Sequence, residues 1–359
     1  MKKRLSFNSP RIYPFDKAQG LRHLLPANRG FTIVELLIVI IIIAILAAVT
    51  YVSYGGLQNN ATVASLQSDL TNASDQLVID QANSSTGVFP ATLAAASGVI
   101  KWSGNTTPTY TVNNTNTPKT FCLSAVKGSQ RYFITQEGLP MPGPCPVLYL
   151  DAGITTSYPG TGTTWTDLSG NGNNGTLVGG LGVAGLGYST ANGGLLTFDG
   201  VDDYLNVGSG TSLQLTNTGT VSLWFKPTVA FNGNTGTQQH FACGAREFYF
   251  SSSSSTLYYF LADGATSSNS NSSSWNNNWY NVTATSNGTI VNMYINGVLQ
   301  TVTGNATGKN FFYSTNPVTI SKSSGGFKGS IASVNIYNRA LTSTEITQNY
   351  NFLKSRYGL

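Results

Sequence analysis

The chain has 359 residues, 40% hydrophobic and only 9% charged, with 39 glycines; it is longer than one ordinary domain, and its composition suits turn-rich β structure rather than disorder or a helical bundle. The net charge of +5 is local: residues 1–30 hold seven Lys or Arg against one Asp, leaving twelve basic and thirteen acidic residues downstream, so no nucleic-acid-binding surface is expected. Three cysteines, Cys122, Cys145 and Cys243, are too few for a disulfide scaffold and lack the spacing of a zinc site.

After Gly30 the chain reads Phe31-Thr-Ile-Val-Glu35-Leu-Leu-Ile-Val-Ile and stays apolar to Val49, closing on Thr50-Tyr-Val-Ser-Tyr54. As a helix this segment would cover about 36 Å, more than the bilayer's hydrocarbon core of about 30 Å. A signal anchor or a secretory signal would share that property, but no small-residue cleavage site ends the apolar core beyond Ala47-Ala48. Glu35 sits inside the run, where a carboxylate costs about 2.5–3.5 kcal/mol at helix-centre depth, so it requires a partner.

Arg29-Gly30 followed by Phe31-Thr-Ile-Val-Glu35 resembles the prepilin cleavage and methylation motif of type IV pilins and type II secretion pseudopilins. The resemblance implies that a prepilin peptidase removes residues 1–30 by cutting between Gly30 and Phe31, and that the amino group of Phe31 is methylated. It also implies that Glu35 pairs with the terminal amine of a neighbouring pilin subunit, supplying the missing charge. Residues 31–83 are then a transmembrane and polymerisation helix, single-pass in the cytoplasmic (inner) membrane before assembly and in an extracellular pilus afterwards. The basic residues of the leader fit the positive-inside rule. Beyond the membrane, Leu57, Ala61, Ala64, Leu66, Leu70, Ala73 and Leu77 form a stripe spaced mostly by three or four residues, with a kink expected at Gly55-Gly56.

Residues 84–146 read as a small α+β head whose strands include Thr109–Val112 and Arg131–Thr135, ending in a Pro-rich linker, Pro140-Met-Pro-Gly-Pro-Cys145-Pro146. Cys122 and Cys145 bracket a polar, Pro-rich stretch, and in an exported protein a bridge there would add about 3 kcal/mol in the chain-entropy model; their position resembles the disulfide-closed region of many pilin heads. Cys243 is left as a small buried residue.

From Val147 short strands alternate in polarity, at Leu196 and Phe198, at Val221, Leu223 and Phe225, and at Val291, Met293 and Ile295, which predicts two packed sheets. Asn296-Gly297 marks a tight hairpin. Together with Trp165–Thr176, Leu196–Tyr204, Trp224–Pro227 and Gly329–Leu341, the region 147–359 resembles the laminin-G-like jelly-roll family of the concanavalin-A-like lectin and glucanase fold. The expected fold is therefore mainly β with a long N-terminal α-helix: a pilin-like α+β head followed by an antiparallel two-sheet jelly-roll sandwich.

The resemblance implies a calcium site, with Asp199 and Asp203 as ligands and Asp167 contributing from the preceding loop; the alternative is a turn capped by Asp199, with Asp203 in solvent. Trp275 and Trp279 suggest a platform for carbohydrate, against the alternative of core packing. No paired glutamates of the glucanase kind occur, Glu247 and Glu345 being the glutamates after the linker, and His240 stands alone once His23 leaves with the leader, so an enzyme is not expected. Glu345 follows Thr342-Ser343, an expected helix start. The reading is a major or minor pilin displaying a domain that binds carbohydrate or a cell-surface protein; a pseudopilin or structural subunit without a ligand is the alternative.

Overall fold

In the computed structural model the described residues are 31–180, 182, 187–215, 217–228, 238–243, 248–253, 256–261, 266–269, 277–300, 317–321 and 326–359, with backbone alone for the strands between 238 and 269. The apolar run and its amphipathic continuation form one helix, α1 (Ile33–Asn83), and Gly55 and Gly56 are both helical within it. The chain divides into two units, Met1–Leu57 and Gln58–Leu359.

In the first unit every described side chain from Phe31 to Tyr51 is exposed, including Ile33 and Val34. The helix is long and apolar enough there to cross a membrane.

In the second unit the rest of α1 packs on a four-stranded antiparallel sheet, in the order β1 (Thr107–Asn113), β2 (Thr120–Lys127), β3 (Gln130–Thr135), β4 (Met141–Pro142). Leu66, Leu70, Ala73 and Leu77 share a core with Phe89, Phe121, Leu123 and Ile134. Leu57, Ala61 and Ala64, expected in the same stripe, are exposed: the buried face of the helix begins only at Val63 and Leu66. Asp69 accepts hydrogen bonds from Ser103 N and Oγ, both 2.8 Å, and so ties the loop before β1 to the helix.

Cys122 on β2 is bonded to Cys145, closing a 23-residue separation. The Pro-rich stretch is not a solvated spacer. Pro142, Gly143, Pro144 and Pro146 are buried, Met141–Pro142 pairs with β3, and Val147 N donates to Ile336 O at 2.7 Å. Cys122, Phe133, Tyr149 and Leu168 form one apolar cluster, so the disulfide lies in a packed seam between the small sheet and the C-terminal β region.

That region is a sandwich of two antiparallel sheets. Its strands run β5 (Leu148–Asp151), β6 (Thr164–Trp165), β7 (Gly175–Val178), β8 (Tyr188–Ser189), β9 (Leu195–Asp199), β10 (Tyr204–Gly208), β11 (Thr218–Pro227), β12 (Gln238–Cys243), β13 (Phe248–Ser253), β14 (Thr256–Leu261), β15 (Thr266–Asn269), β16 (Tyr280–Asn287), β17 (Val291–Ile295), β18 (Val298–Leu299), β19 (Val318–Ser321) and β20 (Lys328–Tyr337). Among the described residues one sheet has the order β15-β14-β13-β12-β19-β10-β7-β6 and the other β18-β17-β16-β11-β20-β9-β8, with β5 also on β20.

The period-two pattern sets the layers. Val221, Leu223 and Phe225 of β11 enter the shared core with Leu196, Phe198, Met293 and Ile320, while Ser222 and Trp224 face the other way. Asn296 and Gly297, at φ 50° and 75°, make the two-residue turn between β17 and β18, the mirror-type geometry that a tight hairpin requires. The outer face carrying Trp224 is covered by α2 (Ser343–Leu353) and a 3-10 turn at Lys354–Tyr357. The fold is mainly β with a long N-terminal helix, as expected.

Candidate functional site

Two places are candidate sites, one in each unit. At the start of α1, Thr32 and Glu35 form a reciprocal cap. Thr32 Oγ1 accepts from Glu35 N at 3.2 Å, and Glu35 Oε2 accepts from Thr32 N and Oγ1, both at 2.8 Å. The Glu35 carboxylate is thus held by local donors in the single chain. The Thr-x-x-Glu spacing before an apolar run is the signal that would have identified Thr32 from sequence. Phe31 is 80% exposed, and Gly30 lies outside the described residues.

The second place is the acid loop joining β9 to β10, which crosses from one sheet of the sandwich to the other at its rim. Gly200, at φ +81°, permits the crossing: a Cβ there would lie 2.8 Å from Lys328 Cβ. Asp199 N donates to Asp203 Oδ2 at 2.8 Å, and Val201 N donates to Asp199 Oδ1 at 2.7 Å. These bonds curl the loop until carboxylate oxygens of Asp199, Asp202 and Asp203 all lie within 4.8 Å of one another.

Asp199 and Asp202 are exposed, whereas Asp203 is buried. Burial, offset in part by the bond from Asp199 N and reinforced by the charges of Asp199 and Asp202, pushes the Asp203 carboxyl up to about 6. Three hard, mutually repelling oxygen donors fit a divalent hard cation such as calcium, which takes six to eight oxygens and would be completed by backbone carbonyls and water.

Asp167 lies apart from this set and its oxygens are already occupied. Oδ1 accepts from Tyr149 N and Ser169 N, each at 2.9 Å, and Oδ2 from Ser169 Oγ at 2.7 Å and Asn173 N at 2.9 Å. It is buried and acts as the pin of the Asp167–Asn174 loop, fastening it to β5; the expectation that it joins the cation ligands is corrected accordingly.

Trp279 is likewise not a platform. It is 6% exposed, its ring packs against Tyr357 with centroids 4.7 Å apart, and its Nε1 donates to Asn192 Oδ1 at 3.2 Å, so the apolar face a sugar would need is covered. Trp275 and the side chains of His240 and Cys243 lie outside the described residues.

The clamp formed by the C-terminal turn has no local signature along the chain. Arg356 donates from Nη1 and Nη2 to the buried Asp151 at 2.7 and 2.8 Å, and from Nε to Asn192 O at 2.7 Å. Trp224 stacks on Tyr357 and Tyr350, at 4.2 and 5.7 Å between centroids.

Residues 25–51 match the family model of the prokaryotic N-terminal methylation motif, and residues 199–347 match that of the concanavalin A-like lectin/glucanases superfamily. No curated protein matches the sequence. Among solved structures the chain is similar to the binding domain of Paraclostridial Mosquitocidal Protein 1, at 18% identity and TM-score 0.46, covering 58% of this chain and 52% of that one. It is similar to domain 4 of AbnA, a GH43 extracellular arabinanase from Geobacillus stearothermophilus solved with arabinotriose, at 18% identity and TM-score 0.44, covering 57% and 98%. A third is the receptor binding domain of botulinum neurotoxin C/D mosaic serotype, at 16% identity and TM-score 0.46, covering 58% and 51%. The chain thus spans about half the length of the two toxin domains and nearly all of the arabinanase domain.

Proposed function

We propose that this chain, which carries a prokaryotic N-terminal methylation motif ahead of a concanavalin A-like sandwich, is a pilin-like subunit that displays the sandwich outside the cell as an adhesive domain for carbohydrate or a cell-surface ligand. The observation that carries the reading is the fusion itself: a methylation-motif match at residues 25–51 that takes in the exposed apolar start of α1, in one chain with a match to a lectin-type superfamily. Prepilin peptidase cuts between Gly30 and Phe31, and the Phe31 amine is methylated. The helix holds the subunit in the cytoplasmic membrane until assembly, with a single crossing. In the filament Glu35 exchanges its Thr32 donors for the amine of a neighbouring subunit, and the low dielectric between packed helices makes that pair sensitive to register.

The domain organisation that accompanies this reading is a leader at 1–30, a membrane and polymerisation helix at 31–83, a small head at 84–146 and the sandwich at 147–359. The role is binding rather than catalysis. At the acid loop Asp199, Asp202 and Asp203 would hold calcium, which when bound supplies positive charge and open coordination positions for ligand hydroxyls. The chain's own part is to gather the carboxylates by the two backbone hydrogen bonds of the loop.

The test is a glycan and polysaccharide array probed with the full chain in detergent, first with calcium and then with chelator. Binding that disappears with chelator and in Asp203→Asn is expected. Silence under both conditions would instead favour a structural subunit without a ligand.

A further inference from the structure

The hairpin between β2 and β3 faces the start of α2 across an open cleft of about 540 Å3. Its charged groups are Arg131 on β3, Arg339 in the turn after β20, and Glu345 in the first turn of α2. Glu345 is fully committed. Oε1 accepts from Arg339 Nη2 at 2.5 Å, and Oε2 accepts from Arg339 Nη1 and Thr342 N, each at 2.9 Å.

Arg131 is half-buried and its guanidinium makes no ion pair or side-chain hydrogen bond among the described residues. Burial and the neighbouring Arg339 charge lower its proton affinity, against the pull of Glu345. Arg339 alone takes up the Glu345 carboxylate, so of the cleft's two guanidiniums and one carboxylate the Arg131 charge is left without a bonded counter-charge among the described residues. A partly desolvated guanidinium offers a planar fork of donors that matches a carboxylate.

Among the described residues the rest of the lining is hydroxyl and amide, including Gln130, Thr344 and Gln348, with Val126 the one aliphatic side chain. That lining suits a polyhydroxylated ring better than the apolar stem of an acidic peptide side chain. The volume lies within the range of small-molecule sites, about 300–1,000 Å3.

We infer that this cleft binds an acidic saccharide unit of the hexuronate class, Arg131 taking the carboxylate and the amide and hydroxyl groups taking ring hydroxyls. The site shares no residue with the acid loop and does not depend on calcium.

The experiment titrates the full chain in detergent with digalacturonate, its neutral galactose counterpart and acetate, with chelator present, and follows heat or chemical-shift changes. The expected result is saturable binding of digalacturonate, weakened about ten- to a hundredfold in Arg131→Gln, as loss of a charge-assisted hydrogen-bond partner implies. Gln348→Glu, a change on a half-exposed helix position that adds a repelling charge, is expected to weaken binding as well while leaving the melting temperature close to the native value. Equal binding by both variants and the native chain would remove the cleft from consideration. Acetate binding as tightly as digalacturonate would reduce it to a bare anion site and overturn the saccharide assignment. No binding of any probe would also overturn it, and a filament-incorporation defect of Arg131→Gln in that case would assign the charge to an acidic group of another subunit. Calcium-dependent array binding that survives Arg131→Gln separates failure here from failure of the adhesive reading.

Discussion

At the scale of single residues, identical side-chain chemistry has opposite uses according to its neighbours. Asp167 and Asp203 are both buried, but the first accepts four hydrogen bonds and serves as a loop pin, while the second sits beside two further carboxylates. With Asp203 near 6 in the native state, above its ordinary value, the folded chain holds a proton that the unfolded chain releases between about pH 4 and 6. Stability therefore falls as pH rises through that window when calcium is absent. Chemical denaturation at several pH values is expected to show that slope in the native chain and a flatter one in Asp203→Asn. Added calcium is expected to restore stability above pH 6. Glu35 presents the other case, a carboxylate satisfied locally by Thr32 yet placed in an apolar helix. Glu35→Ala is expected to be cleaved at the normal rate and to enter filaments poorly, which immunoblots of processed and sheared fractions would measure. Normal incorporation would contradict the role given to it.

At the scale of elements, the C-terminal helix and turn act as a cover for the outer face of the β11, β16 and β20 sheet. Thr342 caps α2 in a reciprocal box with Glu345, and Ile346 anchors it beside Tyr294 and Tyr337. The Arg356–Asp151 pair then locks the end of the element, with Asp151 3% exposed. Removing one member of a buried ion pair leaves the other uncompensated, so Arg356→Ala is expected to cost about 3–5 kcal/mol. Thr342→Ala, which removes only a cap, is expected to cost about 1 kcal/mol. Thermal melts of the two variants give the comparison directly, and a smaller effect for Arg356→Ala than for Thr342→Ala would contradict the clamp.

At the scale of the second unit, the small sheet and the sandwich are joined by a seam rather than a free tether. Phe133, Tyr149 and Leu168 pack around the Cys122–Cys145 bond, and Asn116 Nδ2 donates across to Gly172 O at 3.2 Å. Replacing both cysteines by serine is expected to lower stability by about 3 kcal/mol through the freed 23-residue loop. It is also expected to speed proteolysis near 140–146, read by peptide mapping, whereas a solvated linker would be cut equally fast in both forms.

Features that depend on neighbours within one turn or one strand were legible along the chain. The apolar helix, the period-two core of β9, β11 and β17, the Asn296-Gly297 hairpin and the Thr342 start of α2 all belong to this class, because spacing along the chain sets which face a side chain presents. Asp199 and Asp203 were also candidates from sequence, since four residues of loop cannot separate them far, whereas Asp202 joined them only in the folded loop. Which residues each segment meets was settled only by the three-dimensional packing. Trp279 was covered by Tyr357, Asp167 was filled by donors that include Tyr149 N, and Asp151 found its counter-charge 205 residues away. No periodicity encodes such pairings, because they arise when strands distant in sequence become neighbours in a sheet, and burial then fixes whether a polar side chain is free to bind or already spent on the fold.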